Sequence, residues 1–135
     1  MCLRWNLNVI VGWKMEGVHF TWVMSYLDQN TDTEIDHALR SAVRAATERS
    51  AIEILDRLQE VGVPVASAIL TTINPEKYTI IDVNALKSLG VRNGPTDKVD
   101  YYLAYLRKCR ELAHQFKISL RTLDHALWQW GYEHS

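Results

Sequence analysis

The chain has 135 residues, 47% of them hydrophobic, with five tryptophans and a formal net charge of −1. This composition excludes a disordered chain, and the length predicts a single domain over residues 1–135 with a hydrophobic core. No apolar run reaches the roughly 20 residues of a membrane span and no secretion signal is recognisable, so we expect a cytoplasmic protein without a membrane partner.

The first two predicted helices follow an aromatic, irregular segment over residues 1–30, in which Gly12 and Gly17 interrupt any helical period. A helix over 33–48 has an inward face made of Ile35, Leu39, Ala42, Val43 and Ala46. Ser50 with Glu53 three residues later is a capping box that begins the next helix. That helix ends before Gly62, and its inward residues are Ile52, Leu55 and Leu58.

A tight turn around Gly62 leads into a helix over 65–73, and Pro64 suits the first turn of that helix because it needs no N–H there. Small residues at 66–68 allow a neighbouring helix or a ligand backbone to approach closely. A turn over 74–77 and an extended apolar linker over 78–81 then lead to Asp82. This aspartate is predicted to cap a short helix through Leu89, which Gly90 closes.

Two more helices complete the prediction. A break over 93–95 precedes a long helix from Thr96 or Asp97 to about Phe116. Its inward face is Val99, Tyr102, Leu103, Leu106, Ala113 and either Cys109 or Arg110, depending on register. Ser119 caps a final helix with an inward face of Leu120, Leu123, Leu127 and Trp130. No segment alternates as a strand does, so the fold class is all-α.

Charge is unevenly distributed along the chain. Residues 1–86 hold seven Lys/Arg and eleven Asp/Glu, whereas residues 87–121 hold eight Lys/Arg and three Asp/Glu. A basic half can bind phosphate while the total charge stays near zero, and a solvated helix face accounts for the same pattern. Lys87 and Arg92 are the candidate DNA contacts in this half.

Neither metal nor cofactor chemistry is indicated. Cys2 and Cys109 are the two cysteines, and we expect both to be reduced because one lies at position 2 and the other within a helical pattern. No cluster has zinc or iron–sulfur spacing, so we expect no metal held by side chains and no cofactor.

The turn at Gly62 is a candidate phosphate site. The first N–H groups of a helix have no partner within it, and the helix dipole makes its N-terminus positive. Gly62 lacks a side chain that would block an approaching phosphate. The candidate phosphate-binding residues are Val61, Gly62, Val63 and Ala66. A helical hairpin with no ligand explains the same residues.

Asp82 has two interpretations that are compatible. As an N-cap it only completes the hydrogen bonding of a short helix. As a functional carboxylate it is stabilised as an anion by the helix dipole and N–H donors. It can then stabilise positive charge on a sugar or orient an attacking water.

Together these residues resemble the helix-hairpin-helix DNA glycosylase superfamily, which includes endonuclease III. That family has Leu-Pro-Gly-Val-Gly, two variable residues, Ala, a helix, a loop and then Val-Asp. Leu58, Val61, Gly62 and Ala66 match this pattern, and Asp82 follows position 64 by 18 residues, as in the family. The phrases GVPVASAIL and LDHALWQWG are similar to a bacterial subgroup of it. The resemblance covers residues 33–131 and is concentrated in 58–90, with the hairpin and capped helix over 50–90.

The resemblance implies an all-α, multi-helix, glycosylase-like domain that binds DNA and flips a nucleotide out of the duplex. Asp82 would stabilise the oxocarbenium-like sugar, and the hairpin backbone would hold a phosphate, in the family often through a monovalent cation at its carbonyl oxygens. Pro64 occupies the position of the nucleophilic lysine of bifunctional members, so a monofunctional N-glycosidic hydrolase is expected. Glu60 replaces the first hairpin glycine and adds negative charge there. The alternatives are a non-catalytic DNA-binding module and a protein-interaction module.

Overall fold

The computed structural model describes residues 30–59 and 61–134, and these residues form six α-helices and no strand. The helices are α1 (Asp32–Arg44), α2 (Glu48–Asp56), α3 (Val63–Ile73), α4 (Val83–Ser88), α5 (Val99–Phe116) and α6 (Leu120–Glu133). The all-α prediction is therefore confirmed for this part of the chain. The predictions for residues 1–29 and Glu60 lie outside the described residues. No described helix is long and apolar enough to cross a membrane.

The connection between α1 and α2 differs from the prediction. Helix α1 ends at Arg44, and α2 begins after Thr47, whose hydroxyl accepts a hydrogen bond from the Ser50 N–H at 3.1 Å. The capping box predicted at Ser50 is thus wrong, because the extended backbone at Thr47 places its side chain over the first turn. Two residues predicted to face the core do not: Ala46 lies beyond the end of α1 and is exposed, and Val43, inside α1, is 63% exposed.

The predicted order from α3 to α4 is confirmed. Pro64 lies in the first turn of α3, and a turn over 75–77 leads into the extended segment, residues 78–81, all of which are buried. We call residues 78–82 the linker. Helix α4 is closed by Gly90, whose φ of 82° favours glycine. The Gly90 and Val91 N–H groups donate to the carbonyls of Lys87 and Leu86, each at 2.9 Å, which completes a Schellman motif.

Helices α5 and α6 supply one side of the core. Helix α5 begins at Val99, slightly later than predicted, and its register buries Cys109 and leaves Arg110 at the edge. Tyr105, absent from the predicted face, is buried as well. The Ser119 cap is confirmed, with the Thr122 N–H donating to its hydroxyl at 3.0 Å. The remaining buried residues of α5 are Tyr102, Leu106 and Ala113.

The inward face of α6 differs from the prediction at its C-terminal end. Trp130 is 50% exposed, whereas Asp124 and Gly131 are buried. Gly131 determines this arrangement, because a Cβ atom there would lie 1.9 Å from the backbone oxygen of Asn84 in α4. Helix α6 packs most extensively against α4, and the Ser88 hydroxyl also donates to the Leu127 carbonyl. This close contact places α6 beside the helix that Asp82 caps.

Candidate functional site

The hairpin between α2 and α3 is braced by side chains. The Asn30 side-chain N–H₂ donates to the Gln59 carbonyl at 2.8 Å, and the Gln59 N–H donates to the Asn30 Oδ1 atom at 2.8 Å. The Val61 N–H donates to the Leu58 carbonyl at 3.0 Å. These bonds satisfy backbone groups in the turn and fix the point at which α3 begins.

The four candidate phosphate-binding residues are not equivalent. The N–H groups of Val61 and Ala66 donate within the hairpin, the latter to the Gly62 carbonyl at 2.9 Å. The N–H groups of Gly62 and Val63 have no acceptor among the described residues, and α3 has no side-chain cap. Val61, Val63 and Ala66 are buried, whereas Gly62 is partly exposed. Any anion that approaches this helix end would therefore first meet Gly62.

Asp82 occupies the N-cap position of α4, as predicted. Its carboxylate accepts a hydrogen bond from the Ala85 N–H at 2.7 Å, and the residue is partly buried. Lys87 is exposed in the last turn of α4, and Arg92 is exposed just after Gly90. The Asp82 carboxylate is thus held in place by the α4 N-terminus and is still partly open to solvent. The exposed basic residues Lys87 and Arg92 follow it in the chain.

Ser67 connects the hairpin to the aspartate. Its hydroxyl donates to the Pro64 carbonyl at 2.7 Å and accepts from the Ile81 N–H at 3.1 Å. Ser67 and Ile81 are both fully buried. The first turn of α3 and the residue immediately before Asp82 are therefore joined by one side chain, which places the two predicted functional elements side by side.

Two tyrosines from α5 hold the other side of the linker. The Tyr102 hydroxyl donates to the Thr79 carbonyl at 2.9 Å, and the Tyr105 hydroxyl donates to the Ile80 carbonyl at 3.1 Å. Burial raises the pKa of each tyrosine well above its usual value, so both remain neutral donors. An extended buried segment would otherwise leave these carbonyls without partners.

The turn that precedes the linker is held by a guanidinium group. Arg110 donates to the Lys77 carbonyl at 2.7 Å and pairs with the Glu48 carboxylate at 3.0 Å. These contacts tie α5 to the start of α2. Hydrogen bonds from its own backbone N–H and from Arg110 lower the pKa of Glu48.

A second carboxylate, absent from the sequence-based site, lies behind Asp82. Asp124 of α6 is 6% exposed and accepts a hydrogen bond from the Thr79 hydroxyl at 3.3 Å. Burial and, to a lesser extent, repulsion from Asp82 raise the pKa of Asp124 to about 7. The Thr79 hydroxyl, the Ile80 N–H and Arg121 oppose that shift. The two aspartates are thus close enough to interact electrostatically while having different surroundings.

A sequence signal for Asp124 was present. It lies four residues after Leu120 and three before Leu127, so it shares the apolar face of α6. A carboxylate on a predicted core face indicates a specific buried partner, so this position marks Asp124 as a candidate site residue. Ser67 was identified only as a small residue, although its hydroxyl provides the contact to Ile81.

Comparison with known proteins gives no match: no family model, no curated protein and no solved structure is significantly similar to the chain. Within residues 30–59 and 61–134, no three His, Cys, Asp or Glu side chains are grouped to hold a metal ion. A fixed carboxylate at Asp82 can stabilise a cation or orient a water molecule.

Proposed function

We propose that the chain is a DNA-binding protein of the helix-hairpin-helix glycosylase type, and that it hydrolyses the N-glycosidic bond of a flipped nucleotide. Asp82 stabilises the positive charge that develops on the sugar and guides the attacking water. The reaction is monofunctional, because Pro64 cannot form the Schiff base that a lyase step requires.

The observation that carries this proposal is the contact between Ser67 and Ile81. It joins the first turn of α3 to the residue before Asp82, with a hydrogen-bond distance of 3.1 Å. A phosphate bound at the hairpin would therefore lie at a fixed offset from the carboxylate. Fixed placement of a substrate backbone relative to a reacting group is the main requirement for acting on one nucleotide in a long polymer.

The DNA phosphate approaches α3 at Gly62. The backbone there has a φ of −99°, and a Cβ atom would have only the Pro64 Cδ atom near it, at 3.8 Å. Side chains are therefore tolerated by the fold at this position. That tolerance permits a sharp test, because substitutions can change charge at the helix end without changing the hairpin.

The hairpin test compares Gly62→Asp with Gly62→Asn. Both side chains cap helices well, so both variants should fold like the parent. The aspartate repels phosphate, so we expect Gly62→Asp to weaken the binding of an abasic-site duplex by on the order of tenfold at low salt, with a smaller effect for Gly62→Asn. Fluorescence anisotropy measures both affinities. Affinities equal to that of the parent in both variants would show that the hairpin does not bind phosphate.

The catalytic test compares Asp82→Asn with Asp97→Asn. Asparagine retains the α4 cap, and Asp97 is an exposed aspartate with 74% of its side chain accessible. On duplexes containing deaminated, alkylated or oxidised bases, the parent should release one class of base. Asp82→Asn should lower that rate by on the order of a hundredfold or more, and Asp97→Asn should not. Equal base release by Asp82→Asn and the parent would exclude a catalytic Asp82.

Two outcomes identify the alternatives. Salt-dependent DNA binding without release of any base indicates a non-catalytic DNA-binding module. The absence of any salt-dependent DNA affinity indicates a protein-interaction module. Borohydride should trap no covalent complex with abasic DNA, because no amine stands at position 64.

A further inference from the structure

Asp124 is the one Asp, Glu, Lys or Arg that is buried among the described residues, at 6% exposure. A carboxylate in the core is costly unless it is well paired, and an apolar residue of similar size would usually stabilise the fold more. Asp124 has no ion pair with another helix within the described part of the chain. An ionised carboxylate at this position therefore costs stability, and its contacts are the place to look for another role.

The contacts of Asp124 are directed at the linker. The Thr79 hydroxyl donates to its Oδ1 atom at 3.3 Å, and the Ile80 N–H also stabilises its anion. Through these groups the carboxylate holds the linker against α6. Ser67 of α3 binds the N–H of Ile81, and Tyr105 of α5 binds the Ile80 carbonyl, so the last residues before Asp82 are fixed from three helices.

The charged and titratable groups around Asp124 come from three elements. Asp82 at the start of α4 repels it, and Arg121 on its own helix attracts it. Tyr105 and Cys109 of α5 adjoin it, and burial raises the pKa of each, so neither supplies a charge near neutral pH. Of these buried groups, Asp124 is therefore the one that ionises near neutral pH, because burial raises its pKa to about 7.

We propose that Asp124 is a positioning residue for Asp82, because it fixes the linker residues that precede Asp82. When the site holds a cationic sugar, the ionised Asp124 also supplies a second negative charge. The electrostatic part of this inference rests on the proposed function, because it needs a cationic sugar in the site. The positioning part rests on the geometry alone. Two carboxylates attract an oxocarbenium-like sugar more strongly than one, so the site should gain transition-state affinity as Asp124 ionises.

Amide hydrogen exchange tests the positioning without DNA. Asp124→Ala removes the contacts to Thr79 and Ile80, whereas Asp124→Asn keeps an acceptor and the shape. We expect the Ile81 and Ala85 amides to exchange on the order of tenfold faster in Asp124→Ala than in the parent. Amides of the α2 core, such as that of Leu55, should change less. Asp124→Asn should restore most of the protection, and a uniform acceleration in Asp124→Ala would overturn the positioning role.

Binding of a charged sugar analogue tests the electrostatic role. The probes are two duplexes, one with a cationic pyrrolidine in place of a sugar and one with a neutral tetrahydrofuran. For the parent, the ratio of the two affinities should rise on the order of tenfold between pH 5.5 and 8.5. In Asp124→Asn the ratio should stay flat, because no second carboxylate ionises. A parallel rise in Asp124→Asn would overturn the electrostatic role.

Asp82→Asn separates this inference from the proposed function. If the parent prefers the cationic duplex and Asp82→Asn does not, the proposed role of Asp82 stands, and the pH profile of Asp124→Asn decides the role of Asp124. If the parent shows no preference for the cation, the proposed glycosylase activity and the electrostatic role both fail. The hydrogen-exchange comparison then still decides whether Asp124 positions the linker.

Discussion

The Ser67 hydroxyl and the Ile81 N–H are joined by a fully buried hydrogen bond of 3.1 Å that spans 14 residues of sequence. Through it, the start of α3 determines where the linker runs. The carboxylate of Asp82 follows one residue later, so its position depends on a serine in the preceding helix. The hairpin and the aspartate are therefore parts of one structural unit.

Ser67→Ala should remove the connection between α3 and the linker. The substitution leaves the Ile81 N–H buried without its acceptor, so we expect a loss of about 1–3 kcal/mol in the free energy of unfolding, measured by urea denaturation. Thr72→Val is the matched control, since Thr72 donates only to the Ala68 carbonyl within α3, at 2.9 Å. If Ser67→Ala lowers the free energy of unfolding no more than Thr72→Val does, the hydrogen bond from Ile81 to Ser67 contributes little to stability.

Asp82→Ala and Asp82→Asn separate the capping role of the carboxylate from its charge. Alanine removes the acceptor for the Ala85 N–H and should lower the free energy of unfolding by about 1 kcal/mol. Asparagine keeps an acceptor and relieves the repulsion from Asp124, so its stability should equal or exceed that of the parent. Urea denaturation at neutral pH measures both. Equal destabilisation by the two substitutions would contradict this assignment.

The sequence predicted the segment from α3 to Gly90 well because its signals are local. Pro64 suits a first helical turn, Asp82 bonds an N–H three residues away, and Gly90 adopts a φ of 82°. Each signal acts within one turn of helix. The start of α2 was predicted wrongly for a related reason: Thr47 and Ser50 are both capping residues, and local preference alone did not distinguish them.

The rest of the site depends on contacts between distant residues. Thr79 and Asp124 are 45 positions apart, and the contact of Tyr105 with Ile80 spans 25 positions. Helix periodicity indicates which face of α6 is apolar, but it does not indicate which element covers that face. The same limit explains Trp130, which follows the predicted period and is nevertheless 50% exposed, because Gly131 makes the close approach to α4.

Gly131→Ala should disrupt the packing of α6 on α4. The added Cβ atom would lie 1.9 Å from the Asn84 carbonyl oxygen, which is backbone and cannot rotate away. We expect the free energy of unfolding to fall by about 3 kcal/mol or more. The control is Gly62→Ala, where no atom lies closer than 3.8 Å and the cost should stay below about 1 kcal/mol. Thermal and urea denaturation measure the difference, and similar losses in the two variants would contradict the packing.

Asp124 should make the stability of the protein depend on pH. Burial raises its pKa from 3.8 to about 7, so the native state holds this proton more tightly than the unfolded chain does. The free energy of unfolding should therefore fall as pH rises from about 4 to about 7 and level off above, by on the order of 4 kcal/mol in all. Asp124→Asn should lack this decline, whereas Asp97→Asn should retain it. Urea denaturation at pH 5, 6, 7 and 8 measures the profile, and parallel profiles for the parent and Asp124→Asn would show that Asp124 ionises with its ordinary pKa.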